Sequence, residues 1–257
     1  MDAAPRPQMA ILHDTPPLRI GYQQGTVPTL VVCFSSVGTE RNVMPPFEFV
    51  GAATAGGRHG LFISDIGRSW MNGAEIIAQT QQHVAQIRAT HGITQIIAMG
   101  LSMGGFNALI APRLFDVTRV IAFAPQYSLH PDIMPQERRW RYWQRQIDPW
   151  RFESAEPIVP TAQTFVFHGL KDDAHHALAF PAQPNLDHYF FPGFDHTGLT
   201  HRLKQRGLLA RMVDHALEGR RTGVARIVKR MGGNFRSRYG EQFDTNIPPH
   251  APDSLLP

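Results

Sequence analysis

The sequence predicts an α/β protein: a mostly parallel central sheet with helices on both faces and a short insertion. Three observations carry that prediction. Short β-branched and apolar runs recur along the chain, bounded by proline, glycine or small polar residues. Between them lie segments whose apolar residues return at helical spacing. The resulting order, strand-helix-strand-helix-strand, calls for crossover connections, and those make neighbouring strands parallel.

Taken in order, residues 1–28 are a proline-rich N-terminal segment with one early strand around 18–22. Residues 29–34 form a buried strand between Pro28 and Ser35-Ser36, and 60–64 form another. Residues 74–90 read as an amphipathic helix, with Ile76, Ile77, Val84 and Ile87 on roughly one face and His91-Gly92 ending it. A strand over 94–99 leads into a helix running to Leu114, and the next strand, 119–123, closes at Ala124-Pro125. A polar, aromatic insertion over 129–160 breaks the rhythm. It resumes with strands at 164–168 and 187–191 and a single helix over 200–217. The expected organisation is therefore a segment 1–28, a domain 29–218 carrying the insertion at 129–160, and a basic arm 219–257 rich in proline at its end.

Composition narrows the function. The chain has 257 residues, of which 42% are hydrophobic, enough for a sizeable core. Its one cysteine, Cys33, sits in an apolar strand and reads as a buried structural thiol; no thiol pair exists for a disulfide, a metal or redox work. The N-terminus lacks a charged stretch followed by an apolar one, and no run nears the roughly 20 apolar residues that span a bilayer. A soluble cytoplasmic protein is expected. The net charge of +4 arises between Gly219 and Gly240, where seven bases stand without an acid. The remainder holds 18 bases against 21 acids, a balance of −3. Contact of this arm with an anionic surface is one expectation and a solvated arm the other; no nucleic-acid partner is expected.

Chemistry concentrates at Met99-Gly100-Leu101-Ser102-Met103-Gly104-Gly105. An apolar strand runs in and a helix-forming run follows. A sharp strand-to-helix turn would hold Ser102 in a strained backbone and present its hydroxyl, with glycines on either side permitting close backbone approach. A serine hydroxyl needs a base, and the base an orienting carboxylate. Candidates follow two later strands: Gly169-Leu170-Lys171-Asp172-Asp173 and Pro192-Gly193-Phe194-Asp195-His196. Both lie at the C-terminal ends of strands, where open α/β sheets place their ligands.

Over about residues 29–217 the chain resembles the α/β-hydrolases. The match is carried by Gly100–Gly104 as nucleophile elbow, His168-Gly169 followed by Asp172 as acid turn, and Gly193 followed by His196 as histidine loop. The resemblance implies Ser102 as nucleophile, Asp172 as acid and His196 as base. Asp173 competes with Asp172, which the spacing from Gly169 favours; His201 competes with His196 but falls inside the expected last helix. The oxyanion hole implied uses the Met103 N–H and a second main-chain N–H from Ser35 or Ser36, where many lipases and esterases carry His-Gly. No cofactor or metal is implied. Asp172-Asp173-Ala174-His175-His176 looks superficially like a metal cluster, but adjacent histidines are expected to diverge on a helix.

The insertion over 129–160 lies where hydrolases of this fold carry their lids, so the resemblance implies a lid, and it contains Arg138-Arg139-Trp140-Arg141-Tyr142-Trp143. Arg138, Trp140, Arg141 and Trp143 form a candidate surface that stacks on a planar or sugar group and attracts an anion; the other reading has the tryptophans pinning the lid to the body. Residues 65–72, Asp-Ile-Gly-Arg-Ser-Trp-Met-Asn, also resemble hydrolase-like proteins associated with bacterial surface-polysaccharide and glycan-export systems. The expected function is a serine hydrolase cleaving a carboxylic ester, a small-molecule or glycan-linked acyl ester on a polar carrier. The alternative is a catalytically inactive protein of the same fold that binds a glycan or a protein partner.

Overall fold

The computed structural model describes residues 8–239. Its strands are β1 (Ala10–Thr15), β2 (Leu18–Gln23), β3 (Thr29–Phe34), β4 (His59–Asp65), β5 (Gln95–Leu101), β6 (Arg119–Phe123), β7 (Gln163–Gly169), β8 (Leu186–Phe191) and β9 (Asn234–Phe235). They form one sheet in the order β1-β2-β4-β3-β5-β6-β7-β8-β9. The six strands from β4 to β8 are parallel, while β1, β2 and β9 pair antiparallel at the two edges. The helices are α1 (Val50–Thr54), α2 (Ala74–His91), α3 (Met103–Ile110), α4 (Arg141–Gln144), α5 (Leu170–Ala179), α6 (Gly198–Gln205), α7 (Leu209–Leu217) and α8 (Arg221–Arg230).

The central strands are apolar throughout because both faces are covered. Alternate side chains point to opposite cores. Leu30, Val32, Phe34, Ile96, Ala98, Val120 and Ala122 face α2, α3 and the lid. Val31, Cys33, Ile97, Met99, Ile121 and Phe123 face α7 and α8. Helix α2 turns Ile76, Thr80, His83, Val84 and Ile87 inward. Cys33 is buried, and burial pushes its thiol pKa far up, as befits a structural residue.

The edges depart from the expected division. Residues 10–23, expected to belong to a separate segment with one strand at 18–22, contribute that strand as β2 and a second, β1, to the main sheet. The basic arm is likewise built in as far as Tyr239: Val224, Ile227 and Val228 of α8 join the second core, and β9 pairs with β8. Its charges are partly spent inside the molecule. Arg221 pairs with Asp187, Arg220 with Asp214, and Arg236 donates to the Phe180 and Leu178 carbonyls. The proline-rich end of the arm lies outside the described residues. The helix expected over 200–217 is broken at Gly207, whose φ of +65° no continuing helix permits.

The insertion over 129–160 contains only α4 as regular helix and lies against the first core through Leu129, Trp140, Trp143, Ile147 and Ile158. Asn72 clamps it to the body, its side-chain oxygen accepting the N–H groups of Arg151 and Phe152 at 2.7 Å each. No helix among the described residues is long and apolar enough to cross a membrane.

Candidate active site

Ser102 follows β5 and opens α3 with φ 57° and ψ −122°, a conformation that is costly for any residue with a Cβ. The surroundings over-determine it. Its N–H donates to the Phe123 carbonyl at 2.9 Å. A Cβ on Gly104 would lie 2.1 Å from the Phe34 carbonyl oxygen, and one on Gly100 would lie 2.3 Å from Gly104 backbone. Only glycines let β5, α3 and the end of β3 close this tightly, and the closure fixes the turn.

His196 arrives on the loop after β8. That loop is pressed onto the end of β7: a Cβ on Gly169 would lie 2.5 Å from the Phe194 carbonyl oxygen, and the Lys171 N–H donates to that oxygen at 3.0 Å. Ser102 Oγ lies 2.8 Å from His196 Nε2. His196 Nδ1 lies 2.7 Å from Asp173 Oδ2. Burial opposes charge on Asp173, but the attraction of His196 and Arg139 and the His196 hydrogen bond outweigh it and hold the carboxyl below the ordinary carboxylate range. An ionised Asp173 only accepts, so Nδ1 carries the imidazole proton and Nε2 is left to accept from Ser102.

The carboxylate beside His196 is therefore that of Asp173, not Asp172. The spacing from Gly169 presumes a loop, whereas α5 starts at once at Leu170. Consecutive helical residues point about 100° apart, so the inward direction falls one position later. Asp172 is part-exposed, 3.6 Å from Arg139, with its pKa raised by burial and by Asp173.

The second expected main-chain donor is also placed differently. The Ser35 N–H continues the sheet to the Ile63 carbonyl at 3.0 Å, and its hydroxyl is 2.8 Å from both the Pro46 carbonyl and Ser64 Oγ. The Ser36 N–H and hydroxyl both donate to Glu48, at 3.1 and 2.7 Å. Glu48 is brought there by the fold-back of the loop after β3, and burial raises its pKa. Neither serine N–H is a spare donor in this arrangement. Met103 N–H, as the first of α3, has no intrahelical acceptor.

Of the four lid residues expected to bind substrate, only Trp140 reaches the site. Its ring lies 5.2 Å from that of His196. Trp143 is buried against Trp70, while Arg138 is exposed and Arg141 half-buried at the start of α4. The arginine that matters electrostatically is Arg139. It sits over the Trp140 ring at 4.3 Å and donates to Asp173 Oδ1 at 2.8 Å and to Glu137 Oε2 at 2.6 Å. Charge balance requires it, since Asp173 and Glu137 are both buried acids.

His175 and His176 do not diverge as expected. Both reach Glu137 Oε2, at 3.2 and 3.0 Å, and the three could geometrically surround a cation. The hydrogen bonding opposes that. His176 Nδ1 accepts the Tyr127 N–H at 3.1 Å, which leaves the ring proton on Nε2, the atom a metal would need bare. Arg139 adds a positive charge to the same carboxylate. Alongside the site, a cavity of about 650 Å³ is walled by Phe49, Val50, Leu101 and Leu209, with His201 and Lys204 at its polar side.

This sheet order, elbow and set of loops is the α/β-hydrolase fold, and solved structures bear it out. The chain is similar to the capsule O-acetyltransferase of Neisseria meningitidis serogroup A (TM-score 0.52, 13% identity, 77% of this chain and 92% of that one). It is similar to acetyl xylan esterase 1 from a Thermoanaerobacterium species (TM-score 0.51, 14% identity, 81% and 89%). A lidless α/β serine hydrolase from Xanthomonas campestris also matches (TM-score 0.52, 14% identity, 84% and 95%). No family model and no curated protein matches the sequence.

Proposed function

We propose that the protein is a serine hydrolase that cleaves a carboxylic ester through an acyl-enzyme, with Ser102 as nucleophile, His196 as base and Asp173 as the orienting acid. The observation that carries this reading is the continuous hydrogen-bonded series from Ser102 Oγ through His196 to Asp173, with gaps of 2.8 and 2.7 Å. Attack of Oγ on the ester carbonyl transfers its proton to Nε2, and Asp173 stabilises the resulting imidazolium. The Met103 N–H, at the positive end of α3, faces the charge that develops on the carbonyl oxygen. His196 returns the proton to the leaving alcohol. A second hydroxyl, from water, then releases the acyl group with the same base.

An acyl group carried on a carbohydrate fits best. Two proteins of similar fold support this by name, an acetyl xylan esterase and a capsule O-acetyltransferase, while Trp140, buried beside His196 with Arg139 over its ring, walls the site next to the base. The acetyltransferase also favours a second reading in which a sugar hydroxyl, rather than water, takes the acyl group. A fluorophosphonate probe tests the mechanism common to both. Labelling of the wild type that disappears in Ser102→Ala is expected. A folded wild type that does not label would instead point to a binding protein. Release of acetate from acetylated oligosaccharides, with and without an unacetylated acceptor, then separates hydrolysis from transfer.

A further inference from the structure

The serine hydroxyl has another polar neighbour. Gln126, just past the end of β6, is wholly buried, and its Nε2 lies 3.0 Å from Ser102 Oγ. Its Oε1 lies 3.1 Å from the indole nitrogen of Trp70, itself 1% exposed. The chemistry of these atoms leaves a single arrangement of protons. An indole N–H only donates, so the amide oxygen faces Trp70 and the amide NH2 faces Ser102. An amide N–H also only donates, so Oγ accepts from Gln126 and directs its own proton to His196 Nε2, 2.8 Å away. Donors then run in one direction from Trp70 through Gln126 to Ser102 and on to His196, whose Nδ1 proton goes to Asp173.

The segment bearing Trp70 is built to hold it. Arg68, Trp70 and Met71 have φ of 46°, 46° and 61°, a region that bulky residues avoid. Arg68, fully buried, fastens the turn by donating to the Val37, Glu40, Val43 and Ile66 carbonyls. Strained backbone that the surroundings over-determine is the condition under which a fold fixes one side chain at a site.

We propose that Gln126 is a further catalytic residue, acting on Ser102 Oγ, and that Trp70 is the positioning residue that sets its amide; this rests on the serine-hydrolase reading above. Gln126 selects the hydroxyl orientation that delivers the proton to His196. Its N–H bond to Oγ strengthens as negative charge grows on that oxygen during attack, and again when Oγ leaves the acyl group in the second half-reaction. Gln126 keeps its own protons throughout; the proton that moves is that of Ser102, to His196 and then to the departing alcohol.

The test is a double-mutant cycle in the full chain, with fluorophosphonate labelling and kcat and KM measured on an activated acetyl ester. Gln126→Met should lower kcat on the order of tenfold to a hundredfold, while KM stays within about twofold. Gln126→Leu likewise removes the donor without introducing a titratable group, and should be impaired to the same degree. Trp70→Phe removes the indole N–H, and should lower kcat alone in the wild type but cost nothing further in Gln126→Met. A purely structural role for Trp70 would multiply through both backgrounds. A reactive wild type whose folded Gln126 variants keep kcat, or a cycle in which the two losses multiply, overturns the inference alone. A wild type that does not label overturns the hydrolase reading and the inference with it. If Gln126→Met does not fold, Gln126→Leu takes its place in the same kcat comparison.

Discussion

Two adjacent aspartates differ here in everything but their side chain. Asp173 is 1% exposed, bonded to His196 and to Arg139, and ionised; Asp172 is part-exposed, bonded to neither at hydrogen-bond distance, with its pKa moved the opposite way. Replacing Asp173 by Asn would free the wrong imidazole tautomer and leave Arg139 and Glu137 without their third charge. Turnover on an acetyl ester should fall by roughly three to four orders of magnitude, as when a triad aspartate is amidated. Asp172→Asn should stay within about threefold, because no hydrogen bond to His196 is lost. Equal losses in the two variants would refute the assignment. Arg139 shows the same dependence on packing. It stands in view in the basic run of the lid, but its neighbours Arg138 and Arg141 read the same way in sequence. Only packing distinguishes an arginine aimed at two buried acids from two that are not.

At the elbow, β5, α3 and the tip of β3 meet with no room for a methyl group. Gly104→Ala would place a carbon 2.1 Å from the Phe34 carbonyl oxygen, in a backbone that cannot yield without moving Ser102. The expected result is a destabilised protein, by about 2 kcal/mol or more. It should label with fluorophosphonate far more slowly, at a temperature where the wild type is fully folded. Normal labelling with an unchanged melting temperature would show that α3 can retreat. This element is legible in sequence, because Gly-x-Ser-x-Gly between an apolar strand and a helix-forming run is a local pattern. The start of α5 is not. Gly169-Leu170-Lys171-Asp172-Asp173 carries no capping residue ahead of Leu170, and the turn is made instead by the loop of His196 closing on Gly169 from far along the chain. The one-residue shift from Asp172 to Asp173 follows from that.

For the molecule as a whole, the three most deeply enclosed histidines dominate the response to acid, and His59 and His83, also lowered by burial, act in the same direction. Burial brings His168 and His176 to pKa values of about 4 and His188 well below its ordinary value. His168 faces His188, the Pro125 carbonyl and the charge of Asp173; His176 faces Glu137 and His175; His188 faces His168 and Arg236. In the unfolded chain each would take a proton near pH 6.5. Between about 6.5 and 4 the unfolded state therefore binds protons that the native state refuses, and stability drops as pH falls through that range. Asp173 and Glu137 extend the loss from the ordinary carboxylate values downward, since their folded values lie beneath those of the unfolded chain. Melting temperature should hold steady above about pH 7 and fall progressively towards pH 5. A flat profile across that interval would contradict the buried neutral histidines. The same long-range packing marks the boundary of what local pattern conveys. Strand periodicity, glycine spacing and the order of serine, acid turn and histidine loop are properties of short windows, so the α/β-hydrolase fold and the candidates Ser102 and His196 were readable from residues alone. The edge strand at 10–15 and the joining of both early strands to the main sheet, the built-in basic arm, the choice of Asp173, the occupied Ser35 and Ser36 donors and the Trp70–Gln126–Ser102 line were decided by tertiary contact. Each depends on groups far apart in the chain whose hydrogen-bonding needs are met only once the sheet has brought them together.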